Sequence, residues 1–174
     1  MPQDFDRRNF LVSIAGGTVA LASKGRPGLG LVVESLADGE YRSLSARQGK
    51  LLGAITEQIV PTDEFPGATA SGVVAYIDGI LAGPYGKFYR EDYEKGLKSI
   101  DAFATNSFQR DFVSLEPGQQ AAVLSQFESG EADGDSGKRF FNLLLGHTFE
   151  GYYAKTRHGA EGANPAWKMI GFEG

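Results

Sequence analysis

Ser45-Ala-Arg-Gln48-Gly-Lys-Leu51-Leu52-Gly-Ala-Ile55-Thr-Glu-Gln-Ile59-Val-Pro61 decides the fold class. A serine followed three residues later by a glutamine is a capping box, in which each side chain satisfies the other's free backbone amide at a helix start. Leu51, Leu52, Ile55 and Ile59 then recur at the spacing that places them on one face of a helix. Pro61 ends the segment, because its ring disfavours helical backbone in the residue before it.

The same grammar repeats down the chain. A second helix is expected from about Thr69 to Ala82, with Val73, Val74, Ile77, Ile80 and Leu81 facing inward and Gly83-Pro84 ending it. A third is expected from about Phe88 to Asn106, carrying Tyr89, Tyr93, Leu97, Ile100 and Phe103. Glu116-Pro117 opens a fourth, proline being tolerated in the first turn, and Val123, Leu124 and Phe127 form its apolar face. Ser136 is expected to cap a fifth helix bearing Phe140, Phe141, Leu144, Leu145 and Phe149. No strand alternation and no internal repeat interrupts this pattern. The reading is an all-α, single irregular helical bundle spanning residues 45–174, preceded by a transition over 23–44 that is rich in Gly and Pro.

Composition narrows the function. At 174 residues, 41% hydrophobic and 22% charged, the chain can bury one ordinary core without staples. A net charge of −5 with no Lys/Arg-rich run argues against nucleic-acid binding. Cysteine is absent, which excludes disulfides, thiolate-bound zinc, iron–sulfur clusters and covalently attached c-type haem. Twenty-four glycines and seven prolines imply moderate helices with irregular connections.

Residues 1–22 read as an export signal. Arg7-Arg8-Asn-Phe10-Leu11 precedes an uncharged run of mild hydrophobicity, and Ala20-Leu21-Ala22 supplies a small-x-small cleavage site. The apolar run is shorter than the roughly 20 residues of a membrane-spanning helix. The pair of arginines followed by Phe10 and Leu11 resembles a twin-arginine signal, the mark of a route that carries folded proteins. The alternative is a basic pair opening an amphipathic helix.

Candidate chemistry is sparse. Asp63 and Glu64 are adjacent acids in the turn-rich loop 61–68. They can be metal ligands or a general base, but with no third ligand nearby a solvated turn is the simpler reading. Gly130-Glu-Ala-Asp-Gly-Asp-Ser-Gly137 alternates acids as a calcium loop does, yet Asn142 stands where the twelfth-position Glu belongs, so a flexible acidic turn is preferred. His147 and His158 are the only imidazoles, and eleven residues of separation do not make a helical metal pair. A hydrogen-bonded structural role fits both better than catalysis. There is no phosphate loop, nucleophile elbow or haem motif.

The chain closes on an aromatic-rich stretch, and Tyr152, Tyr153, Trp167, Ile170 and Phe172 must put apolar surface somewhere. They are candidates for docking a partner, or they close the domain's own core.

Two blocks carry a resemblance. Ile59-Val-Pro-Thr-Asp-Glu-Phe-Pro-Gly-Ala68 with Gly72-Val-Val-Ala-Tyr-Ile-Asp78, and Thr148-Phe-Glu-Gly-Tyr-Tyr153 with Trp167-Lys-Met-Ile-Gly-Phe-Glu-Gly174, resemble the signatures of the gluconate 2-dehydrogenase subunit 3 family. The chain departs from that pattern at Glu173, where proline is common, and at His158-Gly159, where Asn164 is displaced. The resemblance implies a small, cofactor-free, non-catalytic subunit of a periplasmic sugar or polyol dehydrogenase. In such complexes a large flavoprotein binds FAD and oxidises the substrate, and a haem c subunit carries electrons onward. The small subunit would bind, stabilise and co-export the folded, FAD-loaded partner by the twin-arginine route. Two other readings stay open: a stand-alone periplasmic enzyme using His147 with Asp63 or Glu64, and a purely structural helical protein.

Overall fold

Helix α1, Ala46–Ile59, starts where its capping box places it. The Gln48 amide donates to Ser45 Oγ at 3.3 Å, and the Ser45 amide donates back to Gln48 Oε1 at 2.9 Å. A computed structural model describes residues 41–153, and the helices that follow are α2 (Val73–Ala82), α3 (Arg90–Phe108), α4 (Pro117–Ser129) and α5 (Gly134–Tyr153). Short 3₁₀ turns at Gly86–Phe88 and Phe112–Ser114 flank α3. Among the described residues there is no strand, so the all-α expectation holds. The export signal at 1–22, most of the transition that follows it, and the aromatic stretch beyond Tyr153 lie outside the described residues.

Three helix starts differ from the sequence reading, each for a local reason. Helix α2 begins at Val73, not near Thr69, because the Gly67 amide is taken by the Thr62 hydroxyl and the Thr69 amide by the carboxylate of Glu57 on α1. Gly72 then turns the chain with φ 77°, a left-handed conformation that costs glycine nothing. Helix α3 begins at Arg90 because the 3₁₀ turn intervenes, and Phe88 is left at the surface. Helix α5 begins at Gly134, so Ser136 lies inside its first turn and accepts from Arg139 Nη2 at 3.2 Å instead of capping. Asp133 and Gly134, at φ 57° and 56°, make the reversal that puts it there.

Helices α1 and α5 each touch all four other helices, which makes them the spine of the bundle. Leu52, Ile55, Ile59, Ile77, Leu97, Ile100, Leu124, Phe127 and Leu144 are fully buried between them, each contributing about 1.5–3 kcal/mol relative to exposure. Along α5 the inward face runs through Phe140, Leu144, His147, Thr148, Gly151 and Tyr152. Leu145 and Phe149, expected inward, sit to the side of it, and His147 and Thr148 take the places the sequence reading gave them. Thr148 is accommodated by donating to the Leu144 carbonyl at 2.7 Å. Two glycines let α5 come close to its neighbours. A Cβ on Gly96 of α3 would collide with the ring of Phe140, and one on Gly151 would sit 2.8 Å from Tyr76 Cδ1.

The entry into the bundle is fastened by one buried acid. Asp78, on the apolar face of α2 and 5% exposed, accepts from the backbone amides of Arg42, Ser43 and Leu44 at 2.8, 2.9 and 3.0 Å. Three donors satisfy most of the carboxylate's acceptor capacity, which is what allows it to be buried. Leu44 and Tyr41 pack on the core beside it, so residues 41–44 belong structurally to the bundle.

Candidate functional site

The loop between α1 and α2 is organised by Glu57, on the last turn of α1. Its Oε1 accepts from the Thr62 amide at 2.9 Å and the Thr62 hydroxyl at 2.5 Å, while Oε2 accepts from the Thr69 amide at 3.0 Å. Thr62 Oγ1 in turn accepts from the Gly67 amide at 3.1 Å. The carboxylate therefore closes residues 60–69 into a fixed loop with few free amides. That loop is fastened to the far end of α5: Tyr152, 5% exposed, donates its hydroxyl to the Pro66 carbonyl at 3.1 Å. Beside it the Tyr76 ring covers Gly151, and Tyr76 Oη lies 3.4 Å from Glu150 Oε2. Residues 59–78 and 148–153, distant in the sequence, thus form one junction.

The family model for gluconate 2-dehydrogenase subunit 3 matches residues 46–174, from the first turn of α1 through both arms of this junction. The chain belongs to that family. No curated protein and no solved structure matches it. In this subunit 3 chain the described parts of the two signature blocks are therefore spatial neighbours, and their interior residues are those that hold the junction closed.

Next to the junction lies His147, buried in an aromatic box. Its Nδ1 is 3.0 Å from the hydroxyl of Tyr93, its ring stacks on Tyr93 with centroids 5.9 Å apart, and Tyr89 meets it edge-on at 5.0 Å. Burial pushes the imidazole pKa down, partly opposed by the negative charge of Glu150. Burial also pushes the Tyr93 phenol far up, with Glu150 adding to it, so both groups are neutral near pH 7. A histidine whose folded pKa lies below its unfolded value of about 6.5 binds fewer protons folded than unfolded, so stability rises with pH across that window and is lost as pH falls below 6.5. The urea midpoint is expected to fall between pH 7.5 and pH 5.5, and His147→Asn is expected to flatten that drop. An unchanged slope in the variant would assign the pH dependence elsewhere.

The sequence-predicted site residues are dispersed. Asp63 closes its own turn, accepting from the Phe65 amide at 2.8 Å, and Glu64 is exposed on the same loop. Among the described residues His147 makes no hydrogen bond to either acid, and no three of His, Asp or Glu converge as a metal would require. The acidic stretch 130–137 is the tight link between α4 and α5 over residues 130–133 and the first turn of α5 over 134–137, and in the link Asp133 accepts from Ser99 Oγ at 2.9 Å. Tyr152 is inside the junction. Tyr153 is at the surface, 47% exposed, with Phe149 stacked on it at 6.5 Å and Phe149 itself 38% exposed. Arg7, Arg8, Phe10, Leu11, His158, Trp167, Ile170 and Phe172 lie outside the described residues. Sequence reasoning missed Glu57 and Asp78. The signal for Asp78 was present: a lone acid among Val73, Val74, Ile77 and Leu81 on an apolar helix face is buried only if backbone amides meet it.

Proposed function

We propose that this chain is a non-catalytic accessory subunit that binds, stabilises and co-exports the FAD-dependent catalytic subunit of a sugar or polyol dehydrogenase. Family membership across residues 46–174 carries the reading, since the family is named as a subunit of a dehydrogenase. In this reading FAD resides in the large partner and haem c in an electron-transfer subunit. This chain contributes a folded docking body and the twin-arginine signal at Arg7, Arg8, Phe10 and Leu11. A cofactor loaded in the cytoplasm requires export of a folded complex, and a twin-arginine signal serves that need. The complex is placed in the periplasm, held at the inner membrane through its other subunits. Tyr153 and Phe149, at the edge of the signature junction, together with Trp167, Ile170 and Phe172, are assigned to the docking face.

The reading is tested by expressing the large flavoprotein subunit with and without this chain and assaying sugar-dependent dye reduction in periplasm and cytoplasm. Activity in the periplasm only when the chain is present is expected. Full periplasmic activity of the large subunit alone would defeat the proposal.

A further inference from the structure

Phe149, Tyr152 and Tyr153 end α5 as one ring cluster: Phe149 stacks on Tyr153 at 6.5 Å, and Tyr152 meets Tyr153 edge-on at 5.2 Å. Tyr152 is sunk in the junction, whereas Phe149 and Tyr153 are exposed. So is Phe65, one residue before the Pro66 carbonyl that receives the Tyr152 hydroxyl. The charge around these rings is one-sided. Residues 59–78 and 148–153 hold Asp63, Glu64, Asp78 and Glu150 and no Lys or Arg. Asp78 is turned inward onto three backbone amides, and the other three acids are exposed. The negative field reaches Tyr152: burial and the neighbouring Tyr153 push its phenol pKa up, and Asp63 and Glu57 add to the shift.

We infer that the chain's own segment 154–174 covers this patch, with Lys155 and Arg157 against the exposed acids and Trp167 seated on the rings of Phe149 and Tyr153. Chain continuity selects this occupant. Tyr153 is both a ring of the patch and the residue from which the segment departs, and the segment carries the only tryptophan together with Ile170 and Phe172. Trp167 stands fourteen residues beyond Tyr153, a tether whose average span is roughly 20 Å. Such a tether holds its end at an effective concentration on the order of millimolar, which a second copy or a separate subunit must overcome with additional contact. Charge selects the same occupant. Lys155 and Arg157 are the first two charges after Tyr153 and are opposite in sign to the patch, whereas an anionic lipid surface is repelled by the same acids. The family match runs to residue 174, so patch and segment belong to one family domain. The inference goes beyond the accessory reading and does not rest on it. Where both hold, the docking face is the segment laid over the end of α5 before the partner arrives.

Because Trp167 is the only tryptophan, its fluorescence in the purified full chain reports the seating directly. Wild type is expected to emit to the blue of the urea-unfolded chain and to resist acrylamide quenching, at every protein concentration and without the large subunit. Phe149→Ala/Tyr153→Ala, which removes two surface rings, should shift the emission to the red and lose most of that protection, with unchanged helical circular dichroism. If that pair fails to fold, Lys155→Glu/Arg157→Glu serves instead and should lose protection, most strongly at low salt. Quenching of wild-type Trp167 as ready as in urea overturns the inference, and so does protection that survives the variant used. Protection that vanishes on dilution assigns the patch to a second copy, and protection gained only with the large subunit assigns it to that partner. Either result overturns the inference and leaves the accessory reading standing.

Discussion

Asp78→Ala is expected to destabilise the bundle by about 3 kcal/mol, since hydrogen bonds to a charged acceptor are worth about 1.5–3 kcal/mol each when their donors are left unmet. The carboxylate serves three amides, but those of Arg42 and Ser43 are only partly buried and can turn to water once released. The Leu44 amide is buried, and Leu44 is part of the core. The loss is therefore set by the Leu44 bond in full and by the other two only in part. Asp78→Asn keeps one carbonyl oxygen to accept from Ser43 and Leu44 and should cost about half as much. Urea unfolding followed by circular dichroism measures both. A second readout separates anchoring from bulk stability: in the alanine variant, limited proteolysis should cut near residues 41–44 before it cuts any helix. Equal protection there in wild type and variant would show that Asp78 does not hold the entry strap.

The second large effect concerns export. Replacing Arg7 and Arg8 together by lysine keeps both positive charges and leaves the helical domain untouched, so any change must act through recognition of the pair. In the accessory reading the dehydrogenase activity of the periplasm should be nearly abolished, with active flavoprotein accumulating in the cytoplasm. The complex itself should still form, since residues 46–174 are intact. Normal periplasmic activity in the double-lysine variant would assign export of the large subunit to some other signal. The two variants fail in opposite ways: Asp78→Ala threatens the docking body, and the double-lysine change threatens only its transport.

Much of the fold was legible because its signals are local. The capping box at Ser45 and Gln48, the proline at 117 and the apolar spacing of Leu51, Leu52, Ile55 and Ile59 act over one or two helical turns, and the bundle obeys them. The misplaced starts of α2 and α5 come from contacts that local pattern does not encode. Thr69 looked like a helix start, but its amide belongs to Glu57, twelve residues away. Ser136 looked like a cap, but the left-handed backbone at Asp133 and Gly134 had already begun the helix.

The site was legible in part, for the same reason. The two signature blocks were readable as blocks, but nothing in their spacing says that Tyr152 reaches Pro66, across 86 positions, or that Tyr76 lies over Gly151. His147 illustrates the opposite limit. Its type invited an acid–base role, whereas its surroundings, Tyr89, Tyr93 and Glu150, depend on the start of α3 packing against α5. Phe88 read as the start of an ordinary helix; the 3₁₀ turn before Arg90 leaves it at the surface instead.

The most direct test is purification of the intact chain from cells that also express the large subunit, followed by mass spectrometry of the eluate and its visible absorption spectrum. The account predicts a large subunit co-eluting in fixed stoichiometry, with flavin absorption that follows the large subunit and is absent from this chain alone. A stable, monodisperse monomer eluting without flavoprotein would contradict it.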